Sequence, residues 1–151
     1  MYSFLLCNFS FKPEATMKIK LSLEKGPCQA RLTPGSDLAI DLIKSSASIL
    51  RDKYRSLRPE WATQDSPLKY VDWAMNETID KSLCLMDVIK PVSGQKVFEI
   101  GPGTGYLLYI LKQKGCEVSG CDIADRPLYK DMHEMLGIMV ADEEVKPSTY
   151  I

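Results

Sequence analysis

Val97-Phe98-Glu99-Ile100-Gly101-Pro102-Gly103-Thr104-Gly105, continued by Tyr106-Leu107-Leu108-Tyr109-Ile110-Leu111, decides the fold of this 151-residue chain. An apolar run carrying one acid reads as a buried strand, the closely spaced glycines as a tight loop, and the apolar stretch after them as the start of a helix. Working outward, Val92-Ser93-Gly94-Gln95 is the turn into a strand over residues 96–100, the helix covers 104–114, and Gly115 takes its C-cap position. Glu117-Val118-Ser119-Gly120-Cys121-Asp122 is the next strand. Strand, helix and strand within about thirty residues make a βαβ unit, with parallel strands and a right-handed crossover. The fold class is therefore α/β, and ligands are expected at the carboxyl ends of the strands.

Two helices precede this unit. From Ser36, a good N-cap, Leu38, Ile40, Leu42, Ile43, Ile49, Leu50, Tyr54 and Leu57 recur at helical spacing and stop before Arg58-Pro59. Ser66 can cap a second helix with Pro67 at its first position, carrying an apolar stripe of Val71, Met75, Ile79, Leu83, Met86 and Ile89 and ending before Pro91. Residues 1–35 form an irregular N-terminal arm, with turn formers at Gly26-Pro27 and Thr33-Pro34-Gly35 and a short strand at residues 19–23; Met17 is an alternative start. After Asp122, a helix runs through Met135, with Asp125 as its cap and Pro127 in its first turn. It ends near Gly137, Ile138-Met139-Val140 is a short third strand, and the tail from Asp142 has no pattern.

Composition bounds the partners. With 45% hydrophobic residues and a formal charge of -1, this is the composition of a soluble globular domain. The 19 basic and 20 acidic residues are scattered, so nothing marks a nucleic-acid or membrane surface. The cysteines Cys7, Cys28, Cys84, Cys116 and Cys121 are widely spread with no CxxC pair. That pattern reads as reduced thiols in the cytoplasm, without a disulfide framework or a metal site. The apolar start at residues 2–9 lacks a basic flank and a cleavage site, so it reads poorly as a secretory signal and is too short to span a membrane.

The chemistry gathers at the strand ends. Glycines let the backbone approach a ligand closely, and the N–H groups opening the following helix favour an anionic ligand group. A bare triplet of glycines is as often a simple turn. Glu99 is more telling, because a carboxylate in a central strand costs several kcal/mol unless something compensates it; a cationic ligand group would, as would a structural Lys or a backbone N–H partner. Asp122, seventeen positions after Gly105, stands about where a ribose-binding acid belongs in a nucleotide-binding βαβ unit. A dinucleotide fingerprint would need its third glycine at the position of Tyr106.

Trp61, Tyr70 and Trp73 could wall a pocket, although Tyr70 and Trp73 are spaced more like a helix face packed on the core. His133, the single histidine, falls on a polar helix face and reads as a solvated residue; no catalytic base is nominated.

These residues resemble the class I S-adenosylmethionine-dependent methyltransferases. Residues 97–105 look like that family's first motif, and Gly120-Cys121-Asp122-Ile123 looks like its second-strand acid. The resemblance implies a Rossmann-like fold with a parallel sheet and N-terminal helices packed on it, and S-adenosyl-L-methionine as cofactor. It implies that Gly101, Pro102, Gly103 and Gly105 wrap the cofactor's methionine part, that Glu99 holds its ammonium group, that Asp122 binds the ribose and that Ile123 lies beside the adenine. The function it implies is methyl transfer to a small-molecule or protein acceptor.

The resemblance covers residues 94–140, and more loosely the two preceding helices as a lid. Family members carry a seven-stranded sheet, so residues 36–151 look like a helical lid plus the front half of such a domain. The expectation is a truncated chain, with an unpaired edge on the first strand that a second chain could complete. Two other readings stand beside it: a nicotinamide-dependent oxidoreductase, and a non-catalytic fragment or partner subunit.

Overall fold

The structure, a computed structural model, describes residues 4–8, 16–19, 36–63, 66–122 and 126–142. The two strands of the βαβ unit lie where the glycines and charges delimit them, β3 at Lys96–Ile100 and β4 at Glu117–Asp122, and they pair in parallel. Between them helix α3, Tyr106–Gln113, is buried along Tyr106 to Leu111. A helix apolar all round must be covered on every side. Here the covering comes from the sheet and from two other helices, α1 (Ser36–Leu57) and α2 (Met75–Ile89).

The third parallel strand is β5, Val140–Asp142, two residues later than the apolar triplet at 138–140 implies. The closure of helix α4, Pro127–Leu136, explains the shift. Gly137 turns left-handed at φ 60, and the Ile138 N–H donates back to the His133 carbonyl at 3.0 Å, so Ile138 belongs to the helix stop.

The N-terminal arm is not irregular throughout. It supplies β1 (Phe4–Asn8) and β2 (Thr16–Ile19), an antiparallel pair, and β1 pairs antiparallel with β3. The sheet order is β2-β1-β3-β4-β5, so the edge of β3 that was expected to stand unpaired is occupied by this chain's own β1. An apolar run of high β-propensity has satisfied a row of exposed backbone groups. Of the strand expected at residues 19–23, Ile19 closes β2 and the rest lies outside the described residues.

The second expected helix is split. A 3-10 turn at Pro67–Val71 precedes α2, and the chain bends through Asp72, whose φ of -124 and ψ of -116 no helix accommodates. The Lys69 carbonyl accepts from both the Asp72 and Ala74 N–H groups, and the Asp72 carboxylate pairs with Arg55 of α1. The bend leaves Trp73 61% exposed, not on a buried face with Tyr70.

Helix α1 buries only part of the stripe its large residues mark. Ala39, Ile43, Ala47, Leu50 and Tyr54 face the core, whereas Leu38, Leu42, Ile49 and Leu57 are exposed. Small residues at the seam let α1 pack close to α3 and α4.

On β3, Val97 joins Ile89, Leu107, Leu111 and Cys116 in one core cluster, while α1, α3 and α4 build the larger one around Ile43, Leu108, Leu128 and Met132. Cys116 and Cys121 are buried and outside any disulfide, but Cys84 is disulfide-bonded, which departs from the expectation of reduced thiols throughout. Among the described residues no helix is long and apolar enough to cross a membrane.

Candidate functional site

The glycine loop leaves β3 and crosses toward β4. The Gly101 N–H donates to the Cys121 carbonyl at 2.8 Å, extending the parallel ladder one residue past β3. The Gly105 N–H donates to the Pro102 carbonyl at 2.9 Å, closing a tight turn. Gly101, Gly103 and Gly105 have φ of 71, 58 and 76, a region where an L side chain is strained. Helix α3 starts directly behind them, with the Tyr109 N–H reaching the Gly105 carbonyl and the first-turn N–H groups lacking acceptors within the helix.

The loop has an open side and a walled side. A Cβ at Gly101 would meet nothing within 4 Å, so backbone is presented there to free space. A Cβ at Gly105 would lie 2.3 Å from Ile138 Cδ1 and 3.0 Å from His133 Cδ2. The wall is therefore α4 and the residue that follows its cap.

Glu99 is 3% exposed, on the same side of β3 as core residue Val97, and it is the last residue but one of the strand, before Ile100 leads into the loop. Asp122, 8% exposed, closes β4. The structure brings the Asp122 carboxylate onto the loop itself: Oδ2 accepts the Gly103 N–H at 3.0 Å. A carboxylate on a buried backbone N–H is a charge-assisted bond, stronger than one between neutral groups. Ile123 and Asp125 lie outside the described residues.

His133 corrects the sequence reading. It is buried at 7% exposure, on the α4 face formed by Tyr129, Met132 and Leu136, and its Nε2 lies 2.7 Å from the Gly103 carbonyl oxygen. A carbonyl can only accept, so Nε2 carries the proton and donates. Burial pushes its pKa below 6.5, while the Gly103 bond and the charges of Asp122 and Asp142 act in the opposite sense. The ring is neutral, with Nδ1 as its acceptor nitrogen. Its spacing from Tyr129 and Leu136 was the signal that could have placed it on the apolar face.

Of Trp61, Tyr70 and Trp73, Tyr70 is bonded to the loop's helix. The Tyr106 hydroxyl donates to the Tyr70 carbonyl at 2.7 Å, and burial raises the pKa of that phenol. The Tyr70 ring meets Tyr129 edge-on at 6.3 Å, and the Arg126 guanidinium lies 5.4 Å from the Tyr129 centroid. Trp61 instead stacks on Tyr54 of α1 at 5.4 Å. No group of His, Cys, Asp and Glu among the described residues could hold a metal ion.

Fold and site together define an α/β open sheet with a glycine loop at the carboxyl end of β3, between two buried carboxylates. No family model, no curated protein and no solved structure matches the chain.

Proposed function

We propose that this chain binds S-adenosyl-L-methionine and is the cofactor-holding part of a methyltransferase with a small-molecule or protein acceptor. One observation carries the reading: a positive-φ glycine loop with open space over Gly101 lies between the buried carboxylates of Glu99 and Asp122. A ligand with an ammonium group, a carboxylate and a ribose matches that donor and acceptor set. Tyr106 weighs against a pyrophosphate ligand, because the position a dinucleotide fingerprint reserves for glycine holds a buried phenol bonded to Tyr70.

In this reading Gly101, Pro102, Gly103 and Gly105 bring backbone against the methionine part, and Glu99 accepts hydrogen bonds from the ammonium. Asp122 accepts from the ribose hydroxyls while its Oδ2 keeps the Gly103 N–H. The bound cofactor supplies a methyl group activated on a sulfonium. The chain contributes orientation and exclusion of water, which govern the rate of an in-line displacement. A general base is required only where the acceptor must lose a proton. The disulfide at Cys84 weighs against the cytoplasmic location expected from the cysteine pattern.

Calorimetric titration of the chain with S-adenosylhomocysteine and, separately, with NAD tests the proposal. Saturable heat with the first alone is expected. Heat with NAD and none with S-adenosylhomocysteine would overturn it.

A further inference from the structure

We infer that His133 is a positioning residue for the glycine loop, and that the β4–α4 unit, not a ligand, sets the loop's shape. Gly103 is held at both ends of its backbone: its N–H by the Asp122 carboxylate at the end of β4, and its C=O by the His133 imidazole on α4. A residue at φ 58 gains little from local preference, so two directed bonds are what select this conformation over the others glycine can adopt. The same imidazole backs Gly105, together with Ile138. Loop, strand end and helix thus form one hydrogen-bonded unit around a single residue.

The chemistry of the imidazole suits this task. A neutral ring held at Nε2 offers one directional N–H without adding a buried charge beside Asp122. A lysine would bring a charge, and an aliphatic side chain would leave the Gly103 carbonyl without its buried donor. His133 acts through Gly103.

The inference about the loop stands without a ligand; its binding arm rests on the proposed function. The test uses the full chain, ¹⁵N-labelled, as wild type, His133→Met and His133→Gln. Methionine fills the volume without a donor, and glutamine restores an N–H in the position of Nε2. Amide exchange at Gly103 and Gly105 should quicken about tenfold in the methionine variant, the scale of one buried hydrogen bond, while Leu111 of α3 keeps its wild-type protection.

The glutamine variant should return both glycines to near wild-type exchange. Affinity for S-adenosylhomocysteine should fall about tenfold in His133→Met and recover in His133→Gln. Unchanged glycine exchange, or equal acceleration at Leu111 with no rescue by glutamine, would overturn the positioning role. A wild-type chain that binds no S-adenosylhomocysteine would instead overturn the proposed function, and the exchange data would still decide the role of His133.

Discussion

Gly120 stands directly across from Glu99 in the parallel pairing of β3 and β4, and a Cβ on Gly120 would come within 2.7 Å of the Glu99 carbonyl oxygen. The glycine is there because two backbones and the glycine loop converge on it: Leu108 Cδ1 and Pro102 Cγ would lie at 3.2 and 3.4 Å. Its absent side chain lets the loop and the first turn of α3 settle onto β4. Gly120→Ala should therefore destabilise the chain by about 1–3 kcal/mol, the usual cost of overpacking, because the obstructing atom is backbone. Urea denaturation reads the loss, and a change under about 0.5 kcal/mol, the range of ordinary surface substitutions, would mean the approach is looser than described.

Gly101 offers the opposite case. Its Cβ direction is empty to 4 Å, and only its φ of 71 resists a side chain. Gly101→Ala should cost about 1–2 kcal/mol of backbone strain. Under the proposed function the methyl also occupies the ligand's approach, so S-adenosylhomocysteine affinity should fall by more than that strain explains. Calorimetry beside denaturation separates the two, and equal losses in both would remove Gly101 from the contact surface.

Under the proposed function Asp122 has two tasks, holding the Gly103 N–H and binding the ribose, and two substitutions divide them. Asparagine keeps an oxygen able to accept the Gly103 N–H but carries no charge, whereas alanine removes both functions. Asp122→Asn should leave loop exchange close to wild type and weaken cofactor binding by about 1–3 kcal/mol, the scale of hydrogen bonds to a charged group. Asp122→Ala should weaken binding at least as much and also free the Gly103 amide. If asparagine bound S-adenosylhomocysteine as well as wild type, the ribose assignment would fall.

The sequence made the βαβ unit legible because glycine, proline and charge punctuate it on both sides, and local chemistry decides where β3, β4 and α1 begin and end. What it concealed depended on distant partners. Pairing of residues 4–8 with β3 joins segments about ninety positions apart, and no local pattern announces it. The bend at Asp72 interrupts an apolar stripe whose helical spacing continues on either side, so periodicity alone runs through it. In α1, Ala39 and Ala47, small and weakly apolar, complete the buried seam with Ile43, Leu50 and Tyr54, while Leu38, Leu42, Ile49 and Leu57 face out. His133 was misplaced because its polarity outweighed its spacing. The glycines, Glu99 and Asp122 are readable as a candidate site, but that Asp122 bonds the Gly103 N–H of the loop is not.

His133 also sets a pH dependence of stability. The folded chain holds the ring neutral with its pKa lowered from 6.5, chiefly by burial, while the unfolded chain takes up a proton near that value. Below pH 6.5 the unfolded state binds more protons, so stability falls as pH drops toward the folded pKa and is unaffected by this group above pH 6.5. The slope reaches at most about 1.4 kcal/mol per pH unit for one proton. As the chain has one histidine, His133→Gln should abolish this component. Comparing wild type with the variant by urea denaturation at pH values on either side of 6.5 cancels the carboxylates, and parallel profiles would contradict the neutral, buried assignment.

The most direct test of the central claim is the amide spectrum of the ¹⁵N-labelled chain during titration with S-adenosylhomocysteine. Saturable shifts are expected at Gly101, Gly103, Gly105, the first turn of α3 and the ends of β3 and β4, with α1's exposed face unmoved. A spectrum that does not respond, or shifts that saturate elsewhere in the fold while the glycine loop stays still, would contradict the claim.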